Sequence, residues 1–218
     1  LLREDMKGEH QAIIQYLVHA YGLGEGGEAC EIEGIARDEM RHLDWLADAI
    51  TELGGDPTME RERPDVSGAP PAEQMRKDVD LEQMAIDQYR EHMKVIEDPA
   101  LRRLLARIVN DEIRHQGMFV ALAEELGAEA APPAEEGQAA PAQVHPRIGE
   151  ILNEGIRHEY TVILQYLYHS FVAEGKELAE ELQNAAINEM QHMGWLAEAL
   201  KDRGGEPDMN HTELALSH

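Results

Sequence analysis

Apolar residues recur three and four apart over most of the chain, the spacing of one face of an α-helix. Between residues 32 and 53 they fall at Ile32, Ile35, Leu46, Ala49 and Leu53, and two slots of that stripe hold Glu39 and His42 instead. The pattern returns at Leu105, Ile108, Phe119, Leu122 and Leu126, with Glu112 and His115 in the gap. It returns again at Leu178, Leu182, Ala185, Leu196 and Ala199, with Glu189 and His192 in the gap. A further stripe precedes each of these. Glu9 lies between Met6 and Ile13, Glu82 between Met75 and Ile86, and Glu159 in line with Leu152, Ile163 and Tyr166. Breaks carrying Gly or Pro, at 22–27, 97–100 and 173–176, separate the two members of each pair. The pattern predicts an all-α chain of three helical hairpins.

The three hairpins are copies of one another. Residues 1–60 align without a gap to 151–210, with 22 of 60 positions identical. "DEMRHLDWLADAI" at 38–50 returns as "NEMQHMGWLAEAL" at 188–200, and "GGDPTM" at 54–59 as "GGEPDM" at 204–209. A more diverged copy lies between them at an offset of 73, pairing Glu9 with Glu82, Tyr16 with Tyr89, His19 with His92, Glu39 with Glu112 and His42 with His115. Each copy reads E-x6-Y-x2-H, then E-x2-H with its Glu 30 residues after the first. Internal self-similarity of this kind marks a repeated supersecondary unit.

Two segments interrupt the helical pattern. Residues 54–74 carry Gly, Pro and charge and are expected to join the first hairpin to the second. Residues 127–145, rich in Ala, Pro and Glu, are expected to form a flexible tether. The expected organisation is a four-helix bundle over 1–126, the tether, and a separate two-helix hairpin over 146–218.

Net charge is −25, from 44 acidic and 19 basic residues. Such a surface attracts cations and disfavours nucleic acid and anionic membrane as partners. No apolar run reaches the roughly 18 residues of a membrane span, so no membrane role is expected. Cys30 is the one cysteine, which excludes an internal disulfide and Cys-built zinc or iron–sulfur sites. A cytoplasmic setting follows as the expectation.

The spacing of the polar residues carries the chemistry. In each hairpin the two glutamates are equidistant from the break, about 22 Å from it at 1.5 Å per residue. An antiparallel pair therefore sets them at one height, with the His one turn along the same stripe. Buried carboxylates are costly unless paired or metal-bound, and no Lys or Arg occupies these stripe slots. Two hairpins bring together Glu9, Glu39, His42, Glu82, Glu112 and His115, whose four carboxylates match the charge of two divalent cations. Carboxylate and imidazole together suit iron or manganese, with zinc as a competitor. The bland alternative is a buried polar network.

A Glu on each of two helices plus a Glu-x-x-His on each of the other two resembles the ligand set of the ferritin-like di-iron carboxylate proteins. Residues 1–126 resemble that superfamily over the whole four-helix unit, on the side of bacterioferritin and rubrerythrin. The resemblance implies that Glu9 and Glu82 are terminal ligands, that Glu39 and Glu112 bridge two iron ions, and that His42 and His115 bind one each. It makes 54–74 the long crossover of that fold. Rubrerythrins add a four-Cys module that this chain lacks. Asp38 and Asp111, each preceding a Glu-x-x-His, are expected to orient a His on the opposite hairpin; the third copy has Asn188 there.

The third hairpin, residues 146–210, is similar to the two-helix chains of encapsulated ferritins, which complete a site by pairing. Glu159, Glu189 and His192 are therefore expected to make half a metal site, with further iron shared between two chains of a homodimer. Tyr16, Tyr89 and Tyr166 are expected as core residues, with a hydrogen bond to the site or a redox role as the alternative, and His19, His92 and His169 as helix-interface groups or supports of the site, with transient metal binding as the alternative. Trp45 and Trp195 read as packing residues. The function implied by the resemblance is oxidation of Fe(II) with O2 or peroxide. Peroxide dismutation of the manganese-catalase kind and a non-catalytic iron-binding or sensing module are the alternatives.

Overall fold

The computed structural model describes residues 1–128 and 144–216. The helices among them are α1 (Leu2–Leu23), α2 (Gly27–Glu52), α3 (Pro71–Val95), α4 (Pro99–Ala128), α5 (Pro146–Phe171) and α6 (Lys176–Lys201). No strand occurs among the described residues. The helix boundaries follow local chemistry. Gly24 ends α1 at φ 75°, where a side chain would be strained. Pro71, Pro99 and Pro146 each open a helix, where a missing N–H is harmless. Asp98 caps α4, its Oδ1 accepting from the N–H groups of Ala100 (2.7 Å) and Leu101 (3.1 Å). Because Pro71 starts α3, the segment between the hairpins is shorter than the expected 54–74.

The chain divides into two compact units, one holding α1–α4 and the other α5–α6. Of the tether expected over 127–145, residues 129–143 lie outside the described residues. Its first two residues belong to α4 and its last two precede α5.

In the first unit α1 packs on α2 and α3, and α4 on α3 and α2. Polar contacts fix the directions. Asp5 meets His92 while His19 meets Asp78, so α1 and α3 are antiparallel. His42 meets Asp111 while Asp38 meets His115, so α2 and α4 are antiparallel too. The core between them holds Met6, Ile13, Ile32, Leu46, Met75 and Phe119, all at most 6% exposed.

Antiparallel α2 and α4, and antiparallel α1 and α3, require a crossover along the bundle. Residues 54–70 provide it by running along α1. Arg3 Nε donates to the Asp56 carbonyl (2.6 Å), Lys7 pairs with Glu60 (2.7 Å), and the Asp65 N–H donates to Gln15 Oε1 (2.7 Å). Met59, 4% exposed, anchors it in the core. The Gly54–Gly55 pair makes the turn off α2: Gly54 has φ 74°, and a Cβ on Gly55 would come within 2.9 Å of Ile50 Cγ2.

The second unit repeats the first hairpin, its tail included. Gly204 has φ 72° and Met209 is 5% exposed. Asn153 Nδ2 donates to the Glu206 carbonyl (3.2 Å), Arg157 pairs with Asp208 (2.7 Å), and the Thr212 N–H donates to Thr161 Oγ1 (3.0 Å). Residues 205–216 thus lie along α5 as the crossover lies along α1.

Candidate metal centre

All six candidate residues of the first unit converge. Glu9 comes from α1, Glu39 and His42 from α2, Glu82 from α3, Glu112 and His115 from α4, and each is at most 4% exposed. Their oxygen and nitrogen atoms form two overlapping groups, each with all atoms within 4.8 Å of one another. One is Glu9, Glu39, His42 and Glu112; the other is Glu39, Glu82, Glu112 and His115. The two share Glu39 and Glu112. His42 Nδ1 lies 2.8 Å from Glu39 Oε2, 3.0 Å from Glu112 Oε1 and 3.5 Å from Glu9 Oε2. His115 Nδ1 lies 2.8 Å from Glu39 Oε1, 3.3 Å from Glu112 Oε2 and 3.9 Å from Glu82 Oε1.

Distance and direction disagree at two of these contacts. Glu39 Oε1 and Glu112 Oε1 are buried and accept no hydrogen bond, although an imidazole nitrogen lies within 3.0 Å of each. The donor and acceptor directions do not meet. Orphaned buried acceptors are rare and costly, and a cation held among such donors removes that cost. The residues therefore fit a pair of cations.

Electrostatics shows the same competition. Burial pushes the Glu9 carboxyl well above its ordinary range, and the charges of Glu112 and Glu39 push it further. Glu82 is raised likewise, by burial and then by Glu39 and Glu112. Burial opposes charge on His115, yet Glu112 and Glu39 outweigh it and raise the imidazole to about 10. His42 is raised by Glu112, Glu39 and Glu9 against the same opposition. Burial opposes charge on Glu39, yet the His115 and His42 imidazoles beside it outweigh that and hold its carboxyl down. The metal-free site thus favours protons on Glu9, Glu82 and both imidazoles, which divalent cations would displace.

Four of the six candidate ligands are braced from the opposite hairpin. His115 Nε2 lies 3.2 Å from Asp38 Oδ2 and His42 Nε2 lies 3.5 Å from Asp111 Oδ2, the arrangement expected for these aspartates. Such contacts fix ring orientation. Arg114 bridges the two aspartates at 2.7 and 3.2 Å. The tyrosines do more than pack. Tyr16 donates to Glu82 Oε1 (2.7 Å), and Tyr89 donates to Glu9 Oε1. A cavity of about 120 Å³ between α1 and α3 reaches Glu9, Glu39, Glu82 and Glu112, and Glu4 and Glu62 also line it.

Sequence reasoning missed Asp5 and Asp78. Asp78 accepts from Gln15 Nε2 (2.8 Å) and faces His19 Nδ1 (2.7 Å). Asp5 accepts from Gln88 Nε2 (2.9 Å) and faces His92 Nδ1 (2.7 Å). The signal was present: both copies read D-x3-E-x5-Q-Y-x2-H. A search for ligand spacing alone passes over the Asp and the Gln.

Glu159, Glu189 and His192 also come together, with ligand atoms within 4.8 Å. His192 Nδ1 lies 2.6 Å from Glu189 Oε2. The two glutamates are half-buried and His192 is exposed. Burial and the neighbouring Glu189 raise the Glu159 carboxyl. The tilted contact of His42 with Trp45 recurs as His192 with Trp195, at 5.6 Å between ring centroids in both.

Comparison with known proteins agrees with this architecture. A bacterioferritin of Desulfovibrio desulfuricans is 36% identical over 113 residues, 49% of this chain and 63% of the relative, so the chain spans less than two thirds of that protein's length. The X-ray structure of the Desulfovibrio desulfuricans bacterioferritin, described as showing its diiron site in different catalytic states, aligns with a TM-score of 0.55 at 30% identity. That alignment covers 66% of this chain and 92% of that one. The ferritin family model, described as a ferritin-like domain, matches residues 1–128 and 149–216. The chain, in both its helical units, belongs to the ferritin-like domain family.

Proposed function

We propose that the first unit binds Fe(II) in pairs and oxidises it. Glu39 and Glu112 bridge the two ions, Glu9 and His42 complete one position, and Glu82 and His115 the other. The observation that carries this is the overlap of the two ligand groups on Glu39 and Glu112. Iron is the substrate. Each Fe(II) gives up one electron, and O2 takes two electrons and two protons to become peroxide; peroxide takes two more of each to become water. Paired binding is what lets a two-electron acceptor be served in one encounter.

The chain's own residues supply access, charge and protons. The acid-lined cavity between α1 and α3 draws cations inward. Buried Glu9 and Glu82 hold protons that incoming cations release. Tyr16 and Tyr89 keep the two terminal carboxylates aimed inward. The single exposed Cys30 suits a reducing, cytoplasmic setting, in which Fe(II) is available. Residues 1–126 act as one domain with this complete site. Residues 146–218 form a second domain whose Glu159, Glu189 and His192 are one half of another.

Anaerobic titration with Fe(II), followed by stopped-flow mixing with O2 or peroxide, tests the reading. Rapid oxidation of paired iron in the wild type, and loss of pairing in Glu39→Ala and Glu112→Ala, is the expected result. Bound iron without turnover would point instead to a sensing module. Manganese content with oxygen evolution from peroxide would point to dismutation.

A further inference from the structure

The open face of the α5–α6 hairpin is shaped for a particular kind of partner. We infer that it docks a helical hairpin of the α3–α4 kind, with an aspartate four residues before its site glutamate. The template is the first unit, where α1–α2 is covered by α3–α4. There the facing helices are pinned at both ends. Asp78 takes Gln15 and His19, Asp5 takes Gln88 and His92, and in between the tyrosines donate to Glu82 and Glu9.

At the offset of 150, α5 keeps every donor of this pattern: Gln165, Tyr166 and His169. It lacks the acceptor, since Gly155 stands in the slot of Asp5. Its donors are unmatched. His169 Nδ1 turns back to the Gln165 carbonyl at 2.7 Å, and the side chains of Gln165 and Tyr166 make no hydrogen bond among the described residues. Tyr16 and His19 are at most 1% exposed under α3, whereas Tyr166 and His169 are half-open.

A second copy of α5–α6, the occupant expected from sequence, satisfies this face only in part. In the register of α1 on α3, Tyr166 meets the partner copy's site glutamate, but Gln165 and His169 of both copies face Gly155. Four donors then have no carboxylate opposite them in a buried interface. On α6 the mismatch repeats. Trp45 is covered by the Arg107 guanidinium at 3.9 Å from its ring, and the α6 residue in the Arg107 slot is Asn184. Trp195 meanwhile is 64% exposed. An α3–α4-type hairpin supplies what a copy does not: Asp for Gln165 and His169, Glu for Tyr166, and Arg for Trp195. Residues 205–216, laid along α5 as the crossover is along α1, leave that face open.

The test extends the full chain at His218 with a second copy of residues 67–128, in a Trp45→Phe background so that Trp195 reports alone. Thermal melts are read in chelator, so they depend on no metal assignment. The extended chain is expected to shift Trp195 emission to the blue and to raise the melting temperature of that unit. Asp78→Ala in the appended copy should reverse most of that gain. With metal, the bound count per chain should double, and Glu189→Ala should remove only the added ions. Unchanged Trp195 emission in the extended chain would overturn the inference. So would a tight dimer of the unextended chain that Glu189→Ala/His192→Ala abolishes, since a second copy would then be the occupant.

Discussion

Tyr16 occupies a core position, yet its hydroxyl decides where a carboxylate points. The phenol ring packs against Phe119, with centroids 4.7 Å apart, while the O–H holds Glu82. Tyr16→Phe should therefore cost the metal-free protein about 1 kcal/mol, the net worth of one buried hydrogen bond, and urea melts would measure it. Pairing of metal should survive, because the carboxylate itself remains. Asp38 acts one bond further out, on the far nitrogen of His115. Asp38→Ala should weaken metal binding roughly 10- to 100-fold without abolishing it, as calorimetric titration can determine. An equal loss in Asp38→Ala and Glu39→Ala would contradict this ranking.

The pins between α1 and α3 matter at the scale of elements. Asp78 and His19 are both fully buried, whereas His92, facing Asp5, is 14% exposed. Removing one partner of a buried pair leaves the other uncompensated, at about 3–5 kcal/mol. Asp78→Ala should approach that range. Asp5→Ala should fall nearer the 1–3 kcal/mol of a lost, partly wet hydrogen bond. Chemical denaturation of the two variants checks the order; equal losses would mean that burial does not set the difference. Asp78 also faces the crossover, because His19 Nε2 reaches the Asp65 carbonyl at 3.2 Å. One buried cluster thus ties α1, α3 and the loop between hairpins together.

For the molecule as a whole, the metal-free site makes stability fall as pH rises. His115, raised from 6.5 to about 10, contributes stability that is complete below 6.5 and lost as pH passes 10. Glu9 and Glu82 act in the same direction: above the ordinary carboxylate range the unfolded chain gives up their protons while the folded state keeps them, so stability falls until they ionise in the fold too. The melting temperature of metal-free protein should therefore drop between pH 6.5 and 10. Bound metal replaces those protons and should flatten the curve while raising it. Calorimetric scans with and without metal provide the check, and parallel curves would argue against cations at this site. Truncation after Ala128 should leave paired metal binding intact, because all six candidate ligands lie on α1–α4; metal analysis of the truncated chain tests that.

Periodicity and spacing alone determined much of this protein. Six helices, their breaks and the interrupted stripes follow from apolar positions three and four apart, because a helix buries one face. The equal distance of Glu9 and Glu39 from their break set them at one height, and the repeat extended that to Glu82, Glu112 and the histidines. These are one-dimensional facts: within a hairpin, height is chain distance. Contacts between hairpins are not, since they depend on how two helix faces meet across a crossover. That Asp38 reaches a His of the opposite hairpin was already expected from the sequence; only the tertiary structure decided that Tyr16 serves Glu82 rather than its own Glu9. The same holds for Asp5 and Asp78, whose partners lie on the other hairpin. Gly155 shows the division most plainly. In the sequence it is one substitution among many in a diverged copy. Against α1 on α3 it is a missing acceptor, because hydrogen-bond complementarity belongs to a pair of surfaces and not to one chain segment.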